Sequence, residues 1–124
     1  MLCSVLLMTP SKLAEFCAHS ALEKKAENVL ILDLREKSTV ADYFVIASAN
    51  SDRQVDAIAE HVADQLRQAG RRPNHTEGFR EGRWALIDCG DVMVHIFLDY
   101  LREYYNLEGL WSEAPRKRVH DPIA

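Results

Sequence analysis

Residues 84–98 read WALIDCGDVMVHIFL and contain the clearest structural signal in the sequence. Two apolar runs, residues 84–89 and 92–98, flank the dipeptide Gly90-Asp91. Strand-like runs separated by two turn-forming residues are typical of an antiparallel β-hairpin with a two-residue loop. The sequence therefore predicts two neighbouring, paired strands here.

The two-residue loop also fixes which residues face each other across the hairpin. Side chains alternate between the two faces of a strand, so one register assigns every side chain to a face. The first face carries Cys89 with Val92, Ile87 with Val94, and Ala85 with Ile96. The second face carries Asp88 with Met93, Leu86 with His95, and Trp84 with Phe97. We expect the first face to be the core.

The second face is apolar, aromatic and only lightly charged. A monomer rarely leaves a contiguous patch of large apolar side chains in water, so something must cover it. Either the protein's own helices lie on this face or another molecule does, and the pattern supports both interpretations. His95 suits a structural role in a covered sheet as well as the middle of a protein interface.

Two amphipathic helices and two further strands are predicted before the hairpin. Thr9-Pro10 has the chemistry of a helix start, and Ser51 with Gln54 has the spacing of a capping box. Apolar periodicity predicts helices over residues 10–24 and 51–69, and buried strands over 29–32 and 43–49. Residues 71–83 are predicted to form a loop with a short strand near 72–75. The order of elements indicates an α/β fold with a mixed sheet and flanking helices.

Beyond the hairpin, aromatic residues dominate the chain. Leu101, Tyr104 and Tyr105 have the spacing of one helical face, and Trp111 is predicted to anchor the end of the chain. From Pro115 onward the sequence is polar and unpatterned. We therefore predict an N-terminal extension over residues 1–8, a single domain over 9–113 and a flexible polar tail over 114–124.

The composition limits the class of protein. A chain of 124 residues, 48% hydrophobic, fits one domain with one core. No apolar run approaches the roughly 18–20 residues that a membrane span needs. The three cysteines form no C-x-x-C pair, which favours a reducing compartment, so we expect a cytoplasmic protein without membrane partners.

The negative charge is concentrated in one segment. The chain has a net charge of -4, yet residues 84–113 alone carry six acidic residues and one basic residue. Nucleic-acid binders normally present a basic footprint, so RNA contact is predicted to be secondary at most. An acidic, aromatic segment fits a basic protein partner, and a solvated acidic surface is the alternative.

Motifs for catalysis, metals and cofactors are missing from the sequence. No two acidic residues are two positions apart, as carboxylates that bind two metals on one strand often are, and the five glycines form no phosphate-binding loop. Cys89 and His95 are predicted on opposite faces, which disfavours a zinc site or a nucleophile pair. We predict a protein with no catalytic residues, no metal and no cofactor.

Ordered blocks over residues 25–114 resemble the ribosomal silencing factor family, also called the Iojap-like family. The blocks are DYFVI at 42–46, SDRQV at 51–55, EG at 77–78, Trp84, Asp88 with GDV at 90–92, VHIF at 94–97, Arg102, Tyr105, LE at 107–108 and LW at 110–111. The chain departs from the family at Cys89 and at Asp99-Tyr100.

The resemblance implies a fold, a role and a partner. It implies a mixed α/β sheet related to the nucleotidyltransferase fold without its catalytic carboxylates. It also implies a non-enzymatic translation repressor that binds the large-subunit ribosomal protein numbered fourteen, and so prevents joining of the small subunit when nutrients are short. For this contact we predict Trp84, Leu86, Met93, His95 and Phe97 at the centre, with Asp88, Asp91 and Tyr105 toward the rim.

Two other functions stay open at the level of sequence. A nucleotidyltransferase-like enzyme is one, although convergent acidic residues are needed for it. A self-associating structural module is the other, because the hairpin face suits a homodimer of the free protein as well as a ribosomal contact.

Overall fold

The computed structural model describes residues 8–120, which form one mixed sheet with helices packed on it. The predicted N-terminal extension, apart from Met8, lies outside the described residues, as do Cys3 and residues 121–124. The predicted α/β class with a mixed sheet is confirmed. The elements in chain order are α1 (Pro10–Glu23), β1 (Glu27–Asp33), β2 (Tyr43–Ala49), α2 (Asp52–Gln68), β3 (His75–Glu77), β4 (Trp84–Asp88), β5 (Val92–Leu98), α3 (Asp99–Tyr105), α4 (Leu107–Leu110) and β6 (Arg116–Arg118).

The hairpin has the predicted register. Strands β4 and β5 are antiparallel and align Ile87 with Val94, Leu86 with His95, and Trp84 with Phe97. At the turn the amide of Cys89 donates to the carbonyl of Val92 over 2.9 Å. Gly90, the first of the two loop residues, takes a positive φ of 87°, which glycine adopts without steric cost. The assignment of side chains to the two faces is therefore confirmed.

Strand β5 joins the hairpin to the rest of the sheet. The strand order is β3-β4-β5-β2-β1-β6, and β5 runs parallel to β2 at the centre while every other pair is antiparallel. Strand β2 is buried along its whole length. A strand covered on both faces needs continuous apolar residues, which explains why residues 43–49 show no polar alternation.

Helices α1 and α2 cover the first face of the sheet. Thr9 Oγ1 accepts from the amide of Lys12 at 3.2 Å, and Ser51 Oγ accepts from the amide of Gln54 at 3.2 Å, so both predicted caps form. The Gln54 side chain accepts from the amide of Asn50 rather than that of Ser51. The apolar residues of both helices lie in one core with the first face of the hairpin, which contains Ala85, Ile87, Cys89, Val92, Val94 and Ile96.

The end of the chain differs from the prediction. Residues 114–120 are not an unpatterned tail, because β6 pairs antiparallel with β1 and both Ala114 and Val119 are buried. The strand Arg116–Arg118 lies at the edge of the sheet with all three side chains exposed, so it shows no apolar alternation. The short strand predicted near residues 72–75 is instead β3, slightly later in the chain.

A substitution at Gly78 tests how closely the loop before β4 packs against that strand. Gly78 has a φ of +76°, and a Cβ atom there would lie 2.0 Å from the carbonyl oxygen of Trp84. We expect Gly78→Ala to lower the free energy of unfolding by about 3 kcal/mol, from backbone strain and overpacking together. Urea denaturation measures this change.

Gly90→Ala is the matched control for Gly78→Ala. Its φ of +87° is similar, but the nearest atom to the added Cβ is the end of the Asn74 side chain at 3.3 Å. We expect a loss of about 1 kcal/mol from the left-handed conformation alone. Equal losses for the two variants contradict the close approach of Gly78 to β4.

Candidate protein-binding surface

The second face of the sheet is divided into a covered part and an open part. The C-terminal segment, which comprises α3, α4, Trp111 and Ala114, packs over a second apolar cluster on this face. That cluster contains Leu30 and Leu32 of β1, Phe44 and Ile46 of β2, and Phe97 of β5. The interpretation that the protein covers the second face itself is therefore correct for one portion of that face.

The prediction of Phe97 and His95 as surface contact residues is wrong. Phe97 is fully buried and His95 is 5% exposed, so neither side chain lies free on the surface. The hairpin register places both residues on the second face, as predicted, but the C-terminal segment and the indole of Trp84 cover them. Sequence periodicity assigns a residue to a face and does not show what folds back onto that face.

Six predicted contact residues remain accessible. Trp84, Leu86 and Met93 are half-buried, and the 47% exposed ring of Tyr105 lies beside Trp84. The two carboxylates are at the turn end of the hairpin, where Asp88 is half-buried and Asp91 is exposed. We call these six residues, Trp84, Leu86, Asp88, Asp91, Met93 and Tyr105, the open surface.

Trp84 is held by contacts with two other aromatic rings. Its ring centroid lies 4.8 Å from that of Phe97 and 4.7 Å from that of Tyr105. Its indole Nε1–H donates to Nδ1 of His95 over 3.1 Å. A large side chain that is already ordered loses little conformational entropy when a partner binds, which makes Trp84 suited to anchor a protein contact.

Arg102 attaches the C-terminal segment to the sheet. Its guanidinium donates to Glu108 of α4 at 2.8 Å, to the hydroxyl of Ser48 at 2.8 Å and to the carbonyl of Asn28 at 2.6 Å. The pairing of β1 with β2 is irregular between Glu27 and Leu30, and Asn28 there has a positive φ of 50°. Arg102 is thus a buried cation with an ion pair and two further acceptors, as burial of a charge demands.

The structure corrects the predicted helical face in α3. Leu101 packs against both clusters, but Tyr104 is 77% exposed, and the only residue of α3 that is buried is Arg102. Trp111 does anchor this end of the chain, with its ring in edge contact with Phe44 at 6.3 Å. No spacing in the sequence marks Arg102, because its acceptors lie on distant strands.

Burial keeps the ring of His95 neutral. The pKa of His95 is lowered to about 4, because the charged form loses its hydration in the aromatic surroundings. The ring lies 4.5 Å from Phe44 between centroids, and its Nε2 is the one buried side-chain nitrogen or oxygen among residues 8–120 that lacks a hydrogen-bond partner.

Potential metal ligands are dispersed over residues 8–120. Cys89 lies in the core of the first face, whereas His95 lies on the second, as the register predicted. Over the described range, no three His, Cys, Asp or Glu side chains are grouped so that they could hold a metal ion. In the same range, no helix is both long and apolar enough to span a membrane.

The amino-acid sequence of the chain matches one protein-family model. The model described as "Ribosomal silencing factor during starvation" matches residues 8–124. The chain belongs to this family. The resemblance of the sequence blocks to ribosomal silencing factors is thereby confirmed.

Relatives of this family member come from bacteria and from plant organelles. The ribosomal silencing factor RsfS of Bacillus subtilis (strain 168) is 46% identical over 108 residues, which cover 87% of this chain and 92% of that protein. RsfS of Halalkalibacterium halodurans is 41% identical over 117 residues, covering 94% and 100% of the two chains. The chloroplastic protein Iojap of Zea mays is 34% identical over 104 residues, covering 78% of this chain and 42% of that protein.

Solved structures share the fold. A protein from Chromobacterium violaceum superimposes with a TM-score of 0.83 at 29% identity and covers 92% of this chain and 95% of its own. A protein from Bacillus halodurans superimposes with a TM-score of 0.77 at 38% identity and covers 88% and 99%. The mixed sheet with flanking helices is thus common to these chains, while the relation to the nucleotidyltransferase fold stays a prediction.

Removal of the Arg102 side chain is expected to release the C-terminal segment. Arg102→Ala leaves the partly buried Glu108 without its cation and leaves Ser48 and the Asn28 carbonyl without a donor. We expect the free energy of unfolding to fall by about 3 kcal/mol. Urea denaturation measures the loss. Compared with the wild type, amide hydrogen exchange should become faster in residues 99–111 by a larger factor than in the strands of the sheet.

The exposed Arg72 provides the control for Arg102. Arg72→Ala should change the free energy of unfolding by about 0.5 kcal/mol at most, because the side chain lies in water. A similar small loss for Arg102→Ala contradicts the role of Arg102 as the attachment point.

Stability should depend on pH through His95. The unfolded chain binds a proton at a pKa near 6.5 and the folded chain only near 4, so stability falls as the pH is lowered through this range. Between pH 7 and pH 5 we expect His95 to account for a loss of about 2 kcal/mol. Urea denaturation of the protein and of His95→Phe at both pH values measures it, and the variant should lose about that much less. Equal pH dependence in both proteins contradicts the buried, neutral ring.

Proposed function

We propose that this protein represses translation by binding the large ribosomal subunit through the open surface and so preventing the small subunit from joining. Its family is described as a ribosomal silencing factor during starvation, which supports a regulatory role. The observation that carries the proposal is the half-buried Trp84, which contacts Phe97 and Tyr105 and shares the second face with Leu86 and Met93, while Asp88 and Asp91 lie at the turn end of the hairpin. The proposed mechanism is steric and needs no catalytic residue.

The chemistry of the open surface favours a basic protein partner with an apolar centre. Trp84, Leu86 and Met93 supply the apolar centre, and Asp88 and Asp91 supply negative charge at one end of the hairpin. Asp99 follows β5 at the opposite end. Carboxylates at both ends attract a cationic protein and repel bare phosphate, so contact with ribosomal RNA stays secondary in this proposal. The partner that we propose is the large-subunit ribosomal protein numbered fourteen.

The size of the protein is sufficient for this mechanism. A standard protein interface buries about 800 Å² on each partner. The described residues expose 7238 Å², so such a contact occupies about one ninth of the surface and leaves the rest projecting. A bound body of 14.1 kDa then occupies space that the small subunit needs. We expect the protein to act in the cytoplasm, where the subunits join.

Sedimentation with isolated subunits tests the proposed function. At low salt we expect the protein to pellet with large subunits and not with small subunits. Addition of the protein to a mixture of both subunits should lower the fraction of joined ribosomes in a sucrose gradient. Failure to pellet with large subunits contradicts the proposal.

A substitution at Trp84 tests the placement of the contact. Trp84→Ala should weaken binding to large subunits by about 30-fold, which corresponds to roughly 2 kcal/mol for a central anchor residue. The exposed Arg53 on α2 provides the control, because it lies on the helix that covers the first face. Arg53→Ala should bind as the wild type does. Unchanged affinity of a folded Trp84→Ala protein refutes the placement.

Self-association through the same surface is the alternative that the half-buried Trp84 also favours. A homodimer of the free protein would bury the same apolar centre, and dimerisation would then compete with ribosome binding. Sedimentation equilibrium of the wild type and of Trp84→Ala distinguishes the two. A dimer that becomes monomeric on substitution, without any binding to large subunits, favours the structural module.

A further inference from the structure

The hydrogen bond from Trp84 determines where the proton of His95 lies. An indole Nε1–H can only donate, so Nδ1 of His95, at 3.1 Å from it, must be the acceptor and carries no hydrogen. The imidazole is neutral in its buried position. A neutral imidazole has one hydrogen, which therefore lies on Nε2.

This Nε2–H is a donor without an acceptor. The atom is buried, and no described residue offers it a hydrogen-bond acceptor. Its surroundings are aromatic, with the ring of Phe44 centred 4.5 Å from that of His95 and the ring of Phe97 centred 6.2 Å away. A buried donor left unmet is unfavourable, and native proteins keep few of them, so this one calls for an explanation.

His95 lies directly beneath the open surface. In the sheet it is aligned with Leu86 on β4, and Met93 lies two residues before it on β5, so both neighbours share its face. Leu86, Met93 and Trp84 are all half-buried. The sheet register thus places His95 next to residues of the open surface, on the face opposite the one that α1 and α2 cover.

We propose that Nε2–H of His95 donates a hydrogen bond to a main-chain carbonyl oxygen of the docked partner, which makes His95 a specificity-determining residue of the open surface. The inference rests on the proposed function. Trp84 keeps its hydrogen bond to Nδ1, and docking moves the half-buried side chains of Leu86 and Met93 enough to admit one oxygen atom. A neutral carbonyl fits because the donor is uncharged and the neighbouring Asp88 and Asp91 repel a carboxylate.

Such a bond would contribute more to discrimination between binding partners than to the stability of the folded protein. A partner that seals the surface without placing an oxygen over His95 leaves the donor unmet in the complex, as it is in the free protein. A partner that places an oxygen there accepts a hydrogen bond from this donor. The discrimination therefore comes from a polar group that is already desolvated before binding, so little further desolvation of the donor opposes the bond.

Three variants separate the donor from the packing of the ring. His95→Phe keeps a planar ring and removes both nitrogens. His95→Gln carries an amide N–H that reaches the position of Nε2, together with an oxygen that can accept from Trp84. Ile46→Val is the packing control, because Ile46 is fully buried on the same face and is no part of the open surface.

The measurement is the affinity of each protein for isolated large subunits, by quantitative sedimentation, beside its thermal unfolding midpoint. We expect His95→Phe to bind about tenfold more weakly with an unfolding midpoint close to that of the wild type. His95→Gln should recover most of the affinity, and Ile46→Val should unfold earlier yet bind as the wild type does.

The outcomes distinguish this inference from the proposed function. If the wild type does not bind large subunits, the proposed function fails first. If the wild type binds and His95→Phe binds equally well, the inference alone is overturned. It is also overturned if His95→Gln binds as weakly as His95→Phe, or if Ile46→Val loses as much affinity, because the ring then acts through packing.

Discussion

A single buried guanidinium determines which part of the sheet stays open. Arg102 joins the C-terminal segment to β1 through the carbonyl of Asn28, to β2 through Ser48, and to α4 through Glu108. With these bonds in place, the segment covers Phe97 and the apolar residues of β1 and β2 on the second face. Tyr105 of the segment contacts the ring of Trp84, and Trp84 and Leu86 stay only half-buried. The position of the proposed contact surface therefore depends on a charge network outside that surface.

Local features of the structure could be predicted because their causes are local. The turn at Gly90-Asp91 fixes the register of the hairpin, because β4 and β5 directly flank that turn. The caps at Thr9 and Ser51 likewise act over three residues. For this reason the bounds of β2, the two long helices and both faces of the hairpin follow from the sequence.

The cover over the second face could not be predicted, because its cause is not local. Arg102 bonds to residues 54 and 74 positions earlier in the chain, and neither Ser48 nor Asn28 belongs to a motif that signals this contact. Strand β6 escaped prediction for a related reason. Its three charged side chains are all exposed and show no apolar alternation, and main-chain pairing with β1 makes it a strand. The sequence therefore predicts the correct face for His95 and Phe97 but not their burial.

In the proposed complex the open surface, and not the helical side of the sheet, contacts the large subunit. Site-specific photo-crosslinking tests this most directly, with p-benzoylphenylalanine placed at Leu86 in one protein and at the exposed Ala57 of α2 in another. Irradiation with isolated large subunits should link position 86 to one basic ribosomal protein, while position 57 gives no product. Crosslinks from position 57 alone would contradict the account.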